Sequence, residues 1–219
     1  YYPEYLWKND KQVTLDNANG KQNDYSHDLL TQEAFKFVNN HKDKPFFLYL
    51  AYTIPHVKWQ VPDLGQYAEK DWPEKMKIQA AMVTRMDRDI GQLKRLLEKL
   101  GISEDTLIMF NSDNGAHGQG GTLDFFKTSG ELKGKKRNMY DGGVRSPQIA
   151  YWPNKVPAGT VSDHISAFWD ILPTLSDLTG EPIKGETDGI SMLPTLLDKL
   201  EAQKKHSHLY WELYESNKP

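Results

Sequence analysis

Two short apolar runs, separated by one long amphipathic helix, constrain this chain more than any other feature. PFFLYLAY (45–52) is brief, apolar and aromatic, the mark of a buried strand. TLIMFNS (106–112) is a second such run. Between them Ile78, Ala81, Met82, Met86, Ile90, Leu93, Leu97 and Leu100 trace one face of a helix over about 74–100, which Gly101 stops. Strand, helix, strand is a βαβ unit, and its right-handed crossover makes the strands parallel. The chain therefore reads as α/β. Leu30, Ala34, Phe37 and Val38 mark another helix, SPQIAYWP a third strand, and Phe168, Leu172, Leu175 and Leu178 a further helix that tolerates Pro173 only in its first turn. Residues 1–25 read as an extended lead-in. The tail EAQKKHSHLYWELYE ends on an aromatic, strand-like run with nothing after it to pair with.

The 219 residues can bury a substantial core. Apolar residues at 38% and charged residues at 26% describe an ordinary globular chain, and a formal charge of −3 gives no electrostatic case for nucleic acid. No apolar run approaches the roughly 18–20 residues of a membrane span, so no membrane insertion is expected. The absence of cysteine excludes disulfides, thiolate metal sites and a cysteine nucleophile within these residues.

In open parallel sheets, ligands gather beyond the carboxyl ends of strands. Two motifs fall there. PFFLYLAY leads into Thr53, Ile54, Pro55 and His56, and TLIMFNS into Asp113 and Asn114, so pairing the strands would bring His56 and Asp113 to one edge. Asp113 and Asn114 offer a carboxylate and an amide oxygen, hard ligands suited to Ca²⁺ or Mg²⁺, and Gly115 allows the sharp turn that aims both into one pocket. The same residues equally describe an Asx-turn, and two ligands fall short of the roughly six oxygens such ions take. His56, His117 and His164 can each be loop imidazoles bonded to backbone. Loop 113–145 is too long for a simple connection, and its ELKGKKRNMYDGGVR segment concentrates cations that are either a solvated face or an anion contact.

SDNGAHGQGG, ELKGKKRNMYDGGVRSP, FWDILPTLSDLTG and DGISMLPTLL, together with PFFLYLAYTIPH and RMDRDIGQLKRLLEKLGISEDTLIMFNSDNG, resemble in order and spacing the sulfatases of the alkaline-phosphatase-like superfamily. The resemblance implies part of a three-layer α/β/α sandwich with a mostly parallel central sheet. It also implies hydrolysis of the sulfate ester of an aryl or carbohydrate substrate. It makes Asp113 and Asn114 ligands to Ca²⁺, with Mg²⁺ the alternative. His56 becomes a sulfate contact that protonates the leaving oxygen, Lys136 the lysine that binds sulfate oxygens, and His117 a substrate contact. Relatives of this kind are often exported, which implies a periplasmic or secreted parent.

The departures are as informative. The family's nucleophile, a formylglycine made within Cys/Ser-x-Pro-x-Arg, has no counterpart here, and neither have the further acidic metal ligands upstream. Residues 1–219 are thus expected to be the central-to-C-terminal part of a sulfatase catalytic domain, with 200–219 beginning a truncated C-terminal segment, and to be inactive alone. Two alternatives remain: a phosphoryl hydrolase or transferase of the same superfamily, against which Asn114 argues because those relatives carry Asp-His there, and a non-catalytic binding module that keeps the fold.

Overall fold

The computed structural model describes residues 1–213. The chain forms two compact units, Tyr1–Ile102 with Gln119–Lys127, and Ser103–Gly118 with Thr128–Pro219.

The first unit opens with an antiparallel hairpin, β1 (Tyr5–Lys8) and β2 (Lys11–Thr14), in register Tyr5↔Thr14 to Lys8↔Lys11. Asn9 turns it in the left-handed region (φ 57), which asparagine tolerates. The lead-in expected to be merely extended is therefore a paired ribbon. Helices α1 (Ser26–His41) and α2 (Glu74–Lys99) follow. The second ends as its sequence predicts: Gly101 takes φ 72, its N–H bonds the Glu98 carbonyl and that of Ile102 the Leu97 carbonyl, a Schellman closure that satisfies two terminal carbonyls. α1 buries His27, Thr31, Ala34 and Val38 at alternating spacings of four and three, and α2 buries Met76, Met82, Asp89 and Leu97. Met82, Tyr25 and Ile54 form the core between them and the following turn. No helix among the described residues is long and apolar enough to cross a membrane.

PFFLYLAY is not a strand. Residues 45–52 are extended without a ladder, and their exposure alternates, with Phe46, Leu48, Leu50 and Tyr52 half-buried while Phe47 and Tyr49 are 67% and 76% exposed. The period-two pattern is real, but a strand also needs a neighbour to pair its backbone groups, and among the described residues this segment has none. The parallel crossover is consequently not formed there either.

In the second unit β3 (Ile108–Asn111) pairs antiparallel with β4 (Gln148–Tyr151), Ile108 opposite Tyr151 and Asn111 opposite Gln148. These are the runs TLIMFNS and SPQIAYWP. After the short helices α3 (Thr122–Phe126, in the first unit) and α4 (Asp141–Val144), helix α5 (Ile171–Thr179) carries Pro173 in its first turn, as required, and ends at Gly180 with φ 75. Asp170, fully buried, accepts N–H bonds from Ala167 and Ile190 (both 2.7 Å) and from His206 Nε2 (2.9 Å), so one carboxylate ties three segments together. Residues 209–213 of LYWELYE carry no strand, and its last two residues lie outside the described residues.

The polar link between α1 and α2 is unusually buried. His27 Nε2 donates to Asp89 Oδ2 at 3.0 Å, with side chains 0% and 3% exposed, and the His27 ring lies 4.3 Å from that of Tyr52. Beside it Arg85 grips both oxygens of Asp28 and covers the Tyr25 ring at 5.5 Å. Burial pushes the His27 imidazole below its ordinary 6.5, against the pull of Asp89. The folded unit thus prefers neutral His27. Below pH 6.5, and down through the depressed folded value, the unfolded chain binds a proton that the folded chain refuses. Stability is complete above that window and is lost as pH falls through it. Thermal melts should drop between neutral and mildly acidic pH, and His27→Gln should flatten that slope. Asp89→Ala, which strands the buried N–H, should cost about 1–3 kcal/mol at neutral pH.

Candidate functional site

The end of β3 is built by backbone meeting backbone. After Ser112 the chain turns through Asp113 and Asn114 into Gly115, whose N–H bonds the Gly143 carbonyl at 2.9 Å. A Cβ on Gly115 would lie 2.1 Å from the Gly142 carbonyl oxygen. One on Gly142 would lie 2.3 Å from the Gly134 oxygen, and one on Gly143 2.0 Å from the Asn138 oxygen. Only glycine permits these approaches. The same stack brings in the basic segment, because Lys136 N–H bonds the Ala116 carbonyl at 2.7 Å and Gly142 N–H the Lys133 carbonyl at 2.8 Å. Arg137 sits in the left-handed region (φ 77), between Lys135 and Asn138, which are joined by two bonds of 2.8 and 3.1 Å. Lys133 Nζ caps the Tyr140 ring at 4.0 Å, and the Lys135 stem lies across Gly118.

Within this unit the structure brings together Asp113, Asn114, His117 and Lys136. Asp113 is exposed, and among the described residues its carboxylate accepts no hydrogen bond, as an Asx-turn would require. Asn114 spends its amide N–H on the Gly115 carbonyl (3.0 Å), which leaves Oδ1 facing away from that bond. An uncommitted carboxylate and an oriented amide oxygen match the donor chemistry that hard divalent cations take. Lys136 and His117 are half-buried.

His56 belongs to the first unit. It is exposed and closes a turn in which its N–H bonds the Thr53 carbonyl at 3.0 Å, after a cis Ile54–Pro55 peptide. The Tyr1 hydroxyl shares its proton between the His56 and Thr53 carbonyls at 2.8 and 2.9 Å. Burial pushes that phenol up to about 12, so it remains a donor throughout the neutral range. Tyr25 adds a bond from its hydroxyl to the Gln60 carbonyl (2.8 Å). His56 Nδ1 faces the Val57 carbonyl at 3.3 Å, which favours the tautomer with Nε2 free to meet a ligand. The tyrosine frame escaped sequence reasoning, because aromatic residues near a chain start carry no periodic signal. The glycine stack was legible only in part, as SDNG and DGG.

Among the described residues, the one group of three His or Asp ligand atoms within 4.8 Å of one another is His27, Asp28 and Asp89. Arg85 on Asp28 and Arg88 on Asp89 already neutralise it, so it is a charge-compensated network. The long loop is also divided. Its residues 119–127 pack in the first unit, with Gly120 pressed on Trp59 and with Phe125 and Phe126 of α3 (Thr122–Phe126) set edge-on against Trp72 at 5.4 and 5.7 Å.

If the glycine stack sets the site, Gly115→Ala should destabilise the second unit by about 1–3 kcal/mol, as forced overpacking does. Gly118→Ala should cost less, since its Cβ meets only the flexible Lys135 side chain, 2.7 Å away. Paired thermal melts compare the two.

A family profile described as Sulfatase matches residues 1–181. Human steryl-sulfatase is 32% identical over 205 residues, 86% of this chain and 33% of that protein. Canine N-acetylgalactosamine-6-sulfatase is 33% identical over 177 residues, 76% and 31% respectively. A crystal structure of Ps i-CgsB in complex with k-i-k-neocarrahexaose superposes with a TM-score of 0.72 at 35% identity, over 82% of this chain and 41% of that one. The chain thus spans about one third of the length of these curated relatives. With its small sheets and flanking helices it is a partial α/β fold of the alkaline-phosphatase-like kind, and it belongs to the sulfatase family.

Proposed function

We propose that these residues form part of a sulfuric ester hydrolase acting on a sulfated carbohydrate or other small sulfated molecule, whose formylglycine nucleophile lies outside them. The observation that carries this reading is the union of Asp113, Asn114 and Lys136 on interlocked backbone segments, with the Asp113 carboxylate uncommitted. Names of relatives support the substrate class: one is a steryl-sulfatase, another an N-acetylgalactosamine-6-sulfatase, and a solved one holds a neocarrahexaose.

In this reading Asp113 and Asn114 hold Ca²⁺ or Mg²⁺ through oxygen, and the ion supplies electrostatic stabilisation of charge on the sulfate oxygens. Lys136 adds a fixed cation to the same oxygens. His56, as the imidazolium, donates its Nε2 proton to the departing alkoxide and is left as the neutral tautomer whose Nδ1–H stays on the Val57 carbonyl. His117, three residues after Asn114, contacts the substrate. The division of labour is physical: cations hold the anionic group, and an imidazole discharges the leaving oxygen.

The residues alone should show no turnover of 4-nitrophenyl sulfate with Ca²⁺ present, because no nucleophile is available. They should nevertheless bind the ion weakly, so that Tb³⁺ luminescence, used as a calcium probe, is lost in Asp113→Ala, which removes the carboxylate ligand. Turnover above the buffer blank contradicts the first expectation, and unchanged luminescence contradicts the assignment of the ligands.

A further inference from the structure

We propose that a pocket in the first unit, remote in sequence from the residues assigned above, binds one neutral sugar ring. The pocket has a volume of about 180 Å³, which is below the roughly 300 Å³ at which drug-sized sites begin, and so suits a single ring. Its lining includes the apolar surfaces of Tyr2, Leu29 and Pro62, with Tyr2 braced against the buried Tyr25 ring at 5.2 Å. The polar groups of the same lining include Gln22, Gln32 and Asp24.

The rim is held in place before any ligand arrives. Asn17, 3% exposed, spends every hydrogen bond it has on this segment: its amide donates to the Pro3 and Asp24 carbonyls at 2.7 and 2.9 Å, and its oxygen accepts the N–H groups of Asn23 and Asp24 at 3.0 and 2.9 Å. Asp24 Oδ2 accepts the Asp16 N–H at 2.7 Å, which leaves Oδ1 as a fixed acceptor. Among the described residues the Gln22 and Gln32 amides and the Tyr2 hydroxyl make no hydrogen bond at all. The pocket therefore offers an oriented carboxylate oxygen, two amides that can both donate and accept, a phenol, and an apolar wall.

Charge decides among ligand classes. No lysine or arginine lines the pocket, so a sulfate or phosphate would face the Asp24 carboxylate without compensation. A small cation gains little either, because Arg85 already holds both oxygens of Asp28. Neutral vicinal hydroxyls suit Gln22, Gln32 and Asp24, and the C–H face of a pyranose suits Tyr2, Leu29 and Pro62. The inference stands on this pocket alone. It concerns binding, so its failure is distinguishable from failure of the hydrolase reading, which is judged by metal binding and turnover.

Methyl β-galactoside and methyl β-glucoside, titrated into the full chain and followed by amide chemical shifts, supply the test. At least one should bind with a millimolar Kd, as suits a one-ring ligand, and perturb Asn23, Asp24 and Gln32. The double variant Gln22→Ala/Gln32→Ala, whose side chains support nothing in the fold, should weaken that binding about fivefold or more with an unchanged melt. Asp24→Asn should weaken it too while keeping the rim's backbone shifts. Absence of shifts at these amides with both glycosides, equal binding by the double variant, or displacement by sodium sulfate or tetramethylammonium would each overturn the proposal.

Discussion

The second unit depends on one constraint, the approach of backbone to backbone at Gly115, Gly142 and Gly143. Each of these positions lacks room for a single carbon, and each approach is closed by an N–H that would otherwise be unpaired. The consequence is chemical as well as structural. Asp113 and Asn114 leave β3 just before the stack, Lys136 is pinned to Ala116 within it, and none of the three has to be held by side-chain packing. A charged, solvent-facing constellation is difficult to fix by burial, because burial would cost the charges their hydration. Fixing it by main-chain contacts avoids that conflict.

The first unit solves a similar problem by other means. His56 stays exposed, yet its turn is anchored by Ile54 in the core and by the Tyr1 hydroxyl at its carbonyls. Farther inside, His27 and Asp89 join the two long helices through a buried polar bond whose protonation the fold resists. Removing either partner leaves the other unsatisfied in a dry place, which is why such a pair is more costly to break than its modest net contribution suggests.

Helices were the most legible part of the sequence. α2 shows its face, its length and its glycine stop in plain periodicity, and Pro173 announced the first turn of α5. β3 and β4 were legible as apolar runs, but the direction of their pairing was not, because hydrophobicity records burial and not orientation. PFFLYLAY shows the limit most clearly: its alternation is present in the exposure of Phe47 and Tyr49, yet a ladder needs a neighbouring backbone that no pattern within the run can specify. Of the site, the Asp113–Asn114 pair and the following basic segment could be read as chemistry. Their union could not, since it is made by glycines far apart in sequence whose meeting leaves no trace in composition.

The central claim is that Asp113, Asn114 and Lys136 form a single seat for a cation and an anion. Crystals of the chain grown with Ca²⁺ and sulfate test it most directly. The account predicts cation density against the Asp113 carboxylate and the Asn114 amide oxygen, with sulfate within hydrogen-bond reach of Lys136 Nζ. An ordered cation at His27, Asp28 and Asp89 with nothing at Asp113, or sulfate held by unrelated surface lysines, would contradict it.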